Sequence, residues 1–197
     1  VFVRPLVVFV ALLAVVAAVR FGVARGAVES ASSDPCSLVA SDEVDRFLGT
    51  EASPPDELSR RNGSCYYFSR SASEDGTLAF RIVRDADLDL VRHNYTAAKI
   101  TCGGVAPQAP RYAECVVARK LASVASPAEY CAARSSTADA EPIVEGALKA
   151  VFADGSLFAL RDDTCYEARV IRGDRPVHEA EIALLKLLVA RAGERRT

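Results

Sequence analysis

Six cysteines constrain this chain more than any other feature: Cys36, Cys65, Cys102, Cys115, Cys131 and Cys165. All of them lie downstream of a long apolar run near the N-terminus. No two form a Cys-x-x-Cys pair, so neither a zinc knuckle nor a thioredoxin-type redox site is indicated. An even count behind an export signal reads as disulfides, here up to three. Each bridge that closes a long loop contributes on the order of 2–4 kcal/mol. Sequence alone leaves many pairings open. The preferred set is Cys36–Cys65 and Cys102–Cys115, leaving Cys131–Cys165.

The apolar run, Leu6 to Val19, follows Arg4-Pro5 and ends at Arg20. A basic start and an apolar stretch shorter than a membrane span describe a secretory leader. Ala24-Arg25-Gly26 offers small residues for cleavage, and an uncleaved N-terminal anchor is the alternative. The expected organisation is therefore a signal peptide or membrane anchor over residues 1–26 and a polar linker over 27–34. One disulfide-stabilised domain over 35–193 and a short tail over 194–197 follow. Half of the residues are hydrophobic and a quarter are charged, the balance of a globular chain. A net charge of −2 gives no general field for nucleic acid or anionic lipid. Membrane contact is expected only through residues 1–26, if they are retained.

Periodicity outlines the domain. Ser41 is a suitable N-cap, Asp42 and Glu43 suit the positive end of the helix dipole, Val44, Phe47 and Leu48 face inward, and Gly49 sits at the stop. Thr50 to Arg61, with Pro54-Pro55, reads as a loop. Asn62-Gly63 turns the chain into a strand, Ser64 to Arg70, and Asp75-Gly76 turns it back into another, Leu78 to Val83. Leu88, Val91, Tyr95 and Ala98 have helical spacing. Residues 101–142 read as an irregular, cysteine-containing insertion with one helical piece, Pro127 to Arg134. Three strands follow, Ala147 to Ala153, Ser156 to Arg161 and Thr164 to Arg172, separated by Asp154-Gly155 and Asp162-Asp163. A final helix takes Pro176 into its first turn, buries a stripe of Ile182, Leu185, Leu188, Val189 and Ala192, and stops at Gly193. Tight turns between consecutive strands imply an antiparallel sheet. The expected fold is α+β, with the helices packed on one face.

The segment Asp34-Pro35-Cys36-Ser37-Leu38, then Glu43-Val44, Leu48-Gly49 and Cys65-Tyr66-Tyr67, resembles the opening of a family of exported actinobacterial proteins and lipoproteins, domain of unknown function 3558. Its members share a leader, an Asp-Pro-Cys, a short helix ending in Leu-Gly and a second cysteine before an aromatic residue. Residues 147–192 are similar to the end of that family. Together these stretches cover about two thirds of the mature chain. The chain departs from the family in carrying Tyr66 where many relatives carry Trp, in lacking a lipobox before Cys36, and in its added central cysteines. The resemblance implies an envelope location and a Cys36–Cys65 bridge. It implies no activity.

Few constellations carry chemistry. The only histidines, His93 and His178, fall on polar faces of expected helices. No Gly-x-Ser-x-Gly elbow is present, and Gly103-Gly104 lacks the Lys-Ser/Thr of a phosphate loop. Asp85, Asp87 and Asp89 begin like a calcium loop, but Leu90 and Thr96 stand where Gly and Glu are needed, so helix capping explains them better. No catalytic residue, cofactor or metal is assigned. Tyr66, Tyr67 and Phe68 are the candidate binding surface, because strand alternation sends them to opposite faces and leaves aromatic area for a partner. The expected function is non-enzymatic binding of a protein partner or a small apolar ligand in the cell envelope. The alternative is an exported hydrolase using His93 or His178 with a carboxylate.

Overall fold

A computed structural model describes residues 34–71, 75–136, 140–145 and 148–194; of the side chains at 98 and 99 nothing is said. The chain divides after Asp34 into two units. The expected leader over 1–26 and most of the linker lie outside the described residues, as does the end of the tail.

Among the described residues seven strands form one antiparallel sheet: β1 (Ser64–Phe68), β2 (Gly76–Val83), β3 (Glu141–Glu145), β4 (Leu148–Ala153), β5 (Ser156–Arg161), β6 (Thr164–Arg172) and β7 (Arg175–Pro176). Their order is β1-β2-β6-β5-β4-β3, with β7 paired to β6. The chain makes a hairpin, leaves the sheet, and returns as a four-strand meander whose last strand docks on β2. That closing ladder is the longest, running from Gly76↔Arg172 to Val83↔Cys165. The β4–β5 and β5–β6 turns hold Asp154, Gly155, Asp162 and Asp163 at positive φ, the conformation that two-residue hairpin turns need and that Asp and Gly supply most readily. The outer edge of β1 is covered: Ser53 and Asp56 donate backbone N–H groups to Phe68 and Tyr66. This protects a strand edge that could otherwise recruit another chain.

Among the described residues six α-helices accompany the sheet: α1 (Ser41–Leu48), α2 (Glu57–Arg61), α3 (Leu88–Thr101), α4 (Tyr112–Leu121), α5 (Pro127–Ser135) and α6 (His178–Glu194). The α+β class and the antiparallel sheet are as expected, but the helices do not share one face. One apolar cluster joins α1 and α6 to Tyr67, Leu78, Phe80, Tyr166 and Val170. A second, on the opposite face, joins α3, α4 and α5 to Val83, Ala153, Phe158 and Cys165. The reason is visible in burial. Ser156 to Ala159 of β5 and Thr164 to Tyr166 of β6 are buried consecutively, so both sheet faces need a cover.

The stretch 101–142 is also more regular than expected. It holds α4 and α5, and β3 begins at its end. Buried Cys115 and Leu121 fasten α4, and Ser126 caps α5 by accepting from the Glu129 N–H at 3.1 Å. In the expected loop before β1, Asp56 caps α2 through the Ser59 N–H. The last helix starts at His178, because Pro176 is spent in β7, and it continues past Gly193 to Glu194.

All six cysteines are paired, as Cys36–Cys65, Cys102–Cys115 and Cys131–Cys165. The first ties the segment before α1 to β1, the second joins α3 to α4, and the third joins α5 to β6. Three disulfides point to an oxidising, extracellular environment. Among the described residues, no helix is long and apolar enough to cross a membrane.

Candidate functional site

Cross-strand register builds two polar rows on the sheet face beneath α3 and α5. The first row runs Ser64, Arg81, Glu167, Phe158 through paired positions of β1, β2, β6 and β5. The second runs Tyr66, Ala79, Arg169. Residues opposite one another in neighbouring strands stand side by side on one face. Ala79, the smallest of them, leaves a gap between Tyr66 and Arg169. A cleft of about 100 Å³ occupies this ground, with Tyr95 and Arg134 among its lining residues.

Helix α5 seals one side of the cleft. Tyr130 and Arg134, one turn apart, reach the same carboxylate: the Tyr130 hydroxyl donates to Glu167 Oε2 at 2.9 Å, and Arg134 Nη2 donates to Oε1 at 2.9 Å. The Arg134 guanidinium also lies 5.5 Å from the Phe158 ring centroid, a cation–π distance. Arg81 donates from Nε to Ser64 Oγ at 2.7 Å and reaches Tyr130 and the Asn62 carbonyl at 3.4 Å. Burial and the neighbouring Glu167 push the Tyr130 phenol well above its usual range. Burial opposes the charge on Arg81 and Arg134, yet Tyr130 and Glu167 more than offset it, so both stay firmly protonated.

Charge in the cleft is not balanced. Three guanidinium groups face the single carboxylate of Glu167, and Asp154 approaches Arg134 at the rim, at 3.7 Å. Within the described residues the Arg169 side chain makes no hydrogen bond and no ion pair, its Nε is shut from solvent without a hydrogen-bond partner, and the carboxylate that acts on it from a distance is Glu181 on α6. The Nε of Arg134 is also unpartnered. Gly155 leaves Arg169 its room, because a Cβ there would come within 3.3 Å of the guanidinium.

Beside this cleft lies an apolar groove of about 590 Å³. Val116, Val117 and Leu121 of α4 supply much of its wall, and Tyr112 stands at the start of that helix. Tyr95 and Arg134 line both the groove and the cleft.

The expected binding residues separate. Tyr66 joins the cleft. Phe68 lies on the same face, half exposed, near the end of β1. Tyr67 points to the other side into the core, stacked on Phe80 with centroids 6.4 Å apart and donating to the Cys36 carbonyl at 3.3 Å. The two histidines are not brought together. His93 is exposed on α3. His178 opens α6, where it meets Phe152 edge-on and holds Nδ1 3.2 Å from Glu181 Oε2. Of the three aspartates around the start of α3, Asp87 accepts from the Arg84 N–H and Asp89, in the first turn, pairs with Arg92.

Sequence reasoning missed Arg81, Tyr130, Arg134, Glu167 and Arg169. A signal was available: Glu167 and Arg169 sit two apart in β6, so they share one face of the strand, and Tyr130 and Arg134 are four apart on a helix. Comparison with family models, with curated proteins and with solved structures finds no match for this chain.

Proposed function

We propose that the chain is an exported bacterial cell-envelope domain, of the kind it resembles in domain of unknown function 3558, that binds a small apolar ligand without transforming it. Residues 1–26 direct export or hold the domain at the membrane, and the disulfides fit that destination. The observation that supports ligand binding is the groove under α4. Its volume of about 590 Å³ falls within the range of small-molecule sites, and its lining sets Val116, Val117, Leu121 and two tyrosines among a smaller number of polar groups that include Arg134. Tyr66 and Phe68 extend exposed aromatic area along the same sheet face.

The test uses the neutral fluorescent probe N-phenyl-1-naphthylamine with the oxidised protein. Saturable enhancement is expected, and Val116→Asp should weaken it about tenfold by placing a charge in the groove wall. Absence of saturable enhancement, or binding indifferent to Val116→Asp, overturns the reading. A second reading, hydrolysis, draws on His178, whose ring nitrogen has a carboxylate within hydrogen-bond reach. It requires ester or amide cleavage that His178→Ala abolishes.

A further inference from the structure

We infer that the ligand carries an oxyanion head group, a carboxylate or a phosphate, which seats in the cleft against Arg169 while its apolar body fills the adjoining groove. This rests on the binding role proposed above and adds the chemistry of the ligand's other end. Three observations converge on it.

The first is the state of Arg169. A guanidinium carries five N–H donors in a rigid fork and no acceptor. Removing part of it from water without a partner is unfavourable, and native proteins rarely leave such donors unmatched. Arg169 is half-buried, and within the described residues its side chain has no hydrogen-bond or ion-pair partner, only the longer-range pull of Glu181, with its Nε closed to solvent. Arg134 leaves its own Nε unpaired in the same lining. Donors without acceptors call for a group made of acceptors.

The second is charge. Glu167 is already engaged on both oxygens, by Tyr130 and by Arg134. Arg81 is engaged by Ser64, Tyr130 and Asn62. No carboxylate inside the cleft is left for Arg169. An incoming anion completes the set, and a cation meets three like charges.

The third is size and continuity. The gap over Ala79 holds about 100 Å³, room for a head group and not for a whole ligand. The apolar space begins where the cleft ends, at Tyr95 and Arg134. A polar site that narrow, opening onto an apolar space that large, fits an amphiphile better than a wholly apolar molecule or a free inorganic ion.

The experiment is displacement of N-phenyl-1-naphthylamine by three chain-matched competitors, dodecanoate, dodecyl phosphate and dodecanol, the two anions below their micelle concentrations and the alcohol below its solubility limit. The two anions should compete at about tenfold lower concentration than the alcohol, the magnitude expected of hydrogen bonds to a charged group. Arg169→Met should erase that advantage and leave dodecanol unchanged. Arg169→Lys, which keeps charge but loses the fork, should retain part of it. Thermal melting of both variants verifies that they fold, and the comparison within the wild type stands without them. Preference for dodecanoate assigns a carboxylate ligand, and preference for dodecyl phosphate a phosphate. Equal competition by all three on the wild type, or an anion preference that survives Arg169→Met in a folded variant, overturns the head-group inference alone. Failure of the probe and of dodecanol to bind overturns the groove reading instead.

Discussion

Tyr130 and Glu167 meet through a hydrogen bond of 2.9 Å between helix α5 and the centre of strand β6. Tyr130 is fully buried, so its hydroxyl depends on this partner and on the longer contact from Arg81. Tyr130→Phe keeps the ring and deletes both. One oxygen of Glu167 then loses a donor in a half-buried setting. The expected cost is about 1 kcal/mol, read as a lowered midpoint in urea unfolding with an unchanged slope. An unaltered midpoint means that water replaces the hydroxyl at no cost, and that the bond does not hold α5 in place.

Glu181 gives a pH dependence of known sign. Its side chain is fully buried on α6, accepting from the Val170 N–H at 3.1 Å and facing His178 Nδ1 at 3.2 Å. Burial raises its pKa above the ordinary 4.5, against the opposing pull of Val170, His178 and, more weakly, Arg169. A carboxyl that holds its proton more tightly when folded contributes stability below its unfolded pKa. That contribution is lost as pH rises through the folded value. Glu181→Gln keeps an acceptor for Val170 and cannot ionise. The variant should therefore gain on the wild type as pH rises from below the ordinary 4.5 to neutrality. Urea unfolding of both proteins across that window reads the difference, and parallel stability curves contradict the assignment.

How much of this was legible in the sequence depends on where burial is decided. The hairpin turns were readable because Asp154-Gly155 and Asp162-Asp163 satisfy a local backbone demand, positive φ, that few other residues meet. Helix α1 was readable at its end for the same reason, through Gly49, while its start lies one residue earlier than the Ser41 cap expected, with Glu43 accepting from the Ala40 N–H. The second helical layer was not. Nothing local says that Phe158 and Cys165 lie under α5, since that follows from β6 returning to the middle of the sheet. The cleft was missed for a related reason. Arg81, Glu167 and Arg169 each look like the solvated side of a strand until the register sets them beside one another and α5 closes above them. The aromatic triplet shows the half-way case. Alternation correctly separates Tyr67 from Tyr66 and Phe68, but only the ladder reveals that Tyr66 faces Ala79 and the gap beyond it.

Gly49 offers a clean backbone test. It ends α1 at φ +77°, and a Cβ added there would lie 3.5 Å from the Arg172 guanidinium. Arg172 in turn donates to the terminal carbonyls of Arg46 and Phe47, satisfying acceptors that a helix end leaves open. Gly49→Ala imposes the left-handed conformation on a residue with a side chain, at a cost of about 1 kcal/mol. The contact distance is ordinary, so the Arg172 bonds should persist. A fall well beyond that size in thermal unfolding indicates that the arginine cap has also been lost.

The Cys131–Cys165 bridge should matter for binding as well as stability. It fastens α5 to β6 one residue after Tyr130 and two residues before Glu167, so it fixes the geometry of the pair that opens onto the cleft. Its sequence separation is 34, against 13 for Cys102–Cys115. Loop-closure entropy then makes its removal the more costly of the two by about 1 kcal/mol, from a base of about 3 kcal/mol for the shorter loop. Replacing both cysteines of a pair by serine isolates each effect. Loss of Cys131–Cys165 frees Arg134 to move off Glu167, and the preference for dodecanoate or dodecyl phosphate over dodecanol should shrink in the protein that remains folded. Loss of Cys102–Cys115 loosens the α3–α4 connection that walls the apolar groove, so all three competitors should weaken together. If the two double variants show the same binding pattern, the head-group cleft and the groove are not held by separate bridges, and α5 is positioned by its apolar contacts alone.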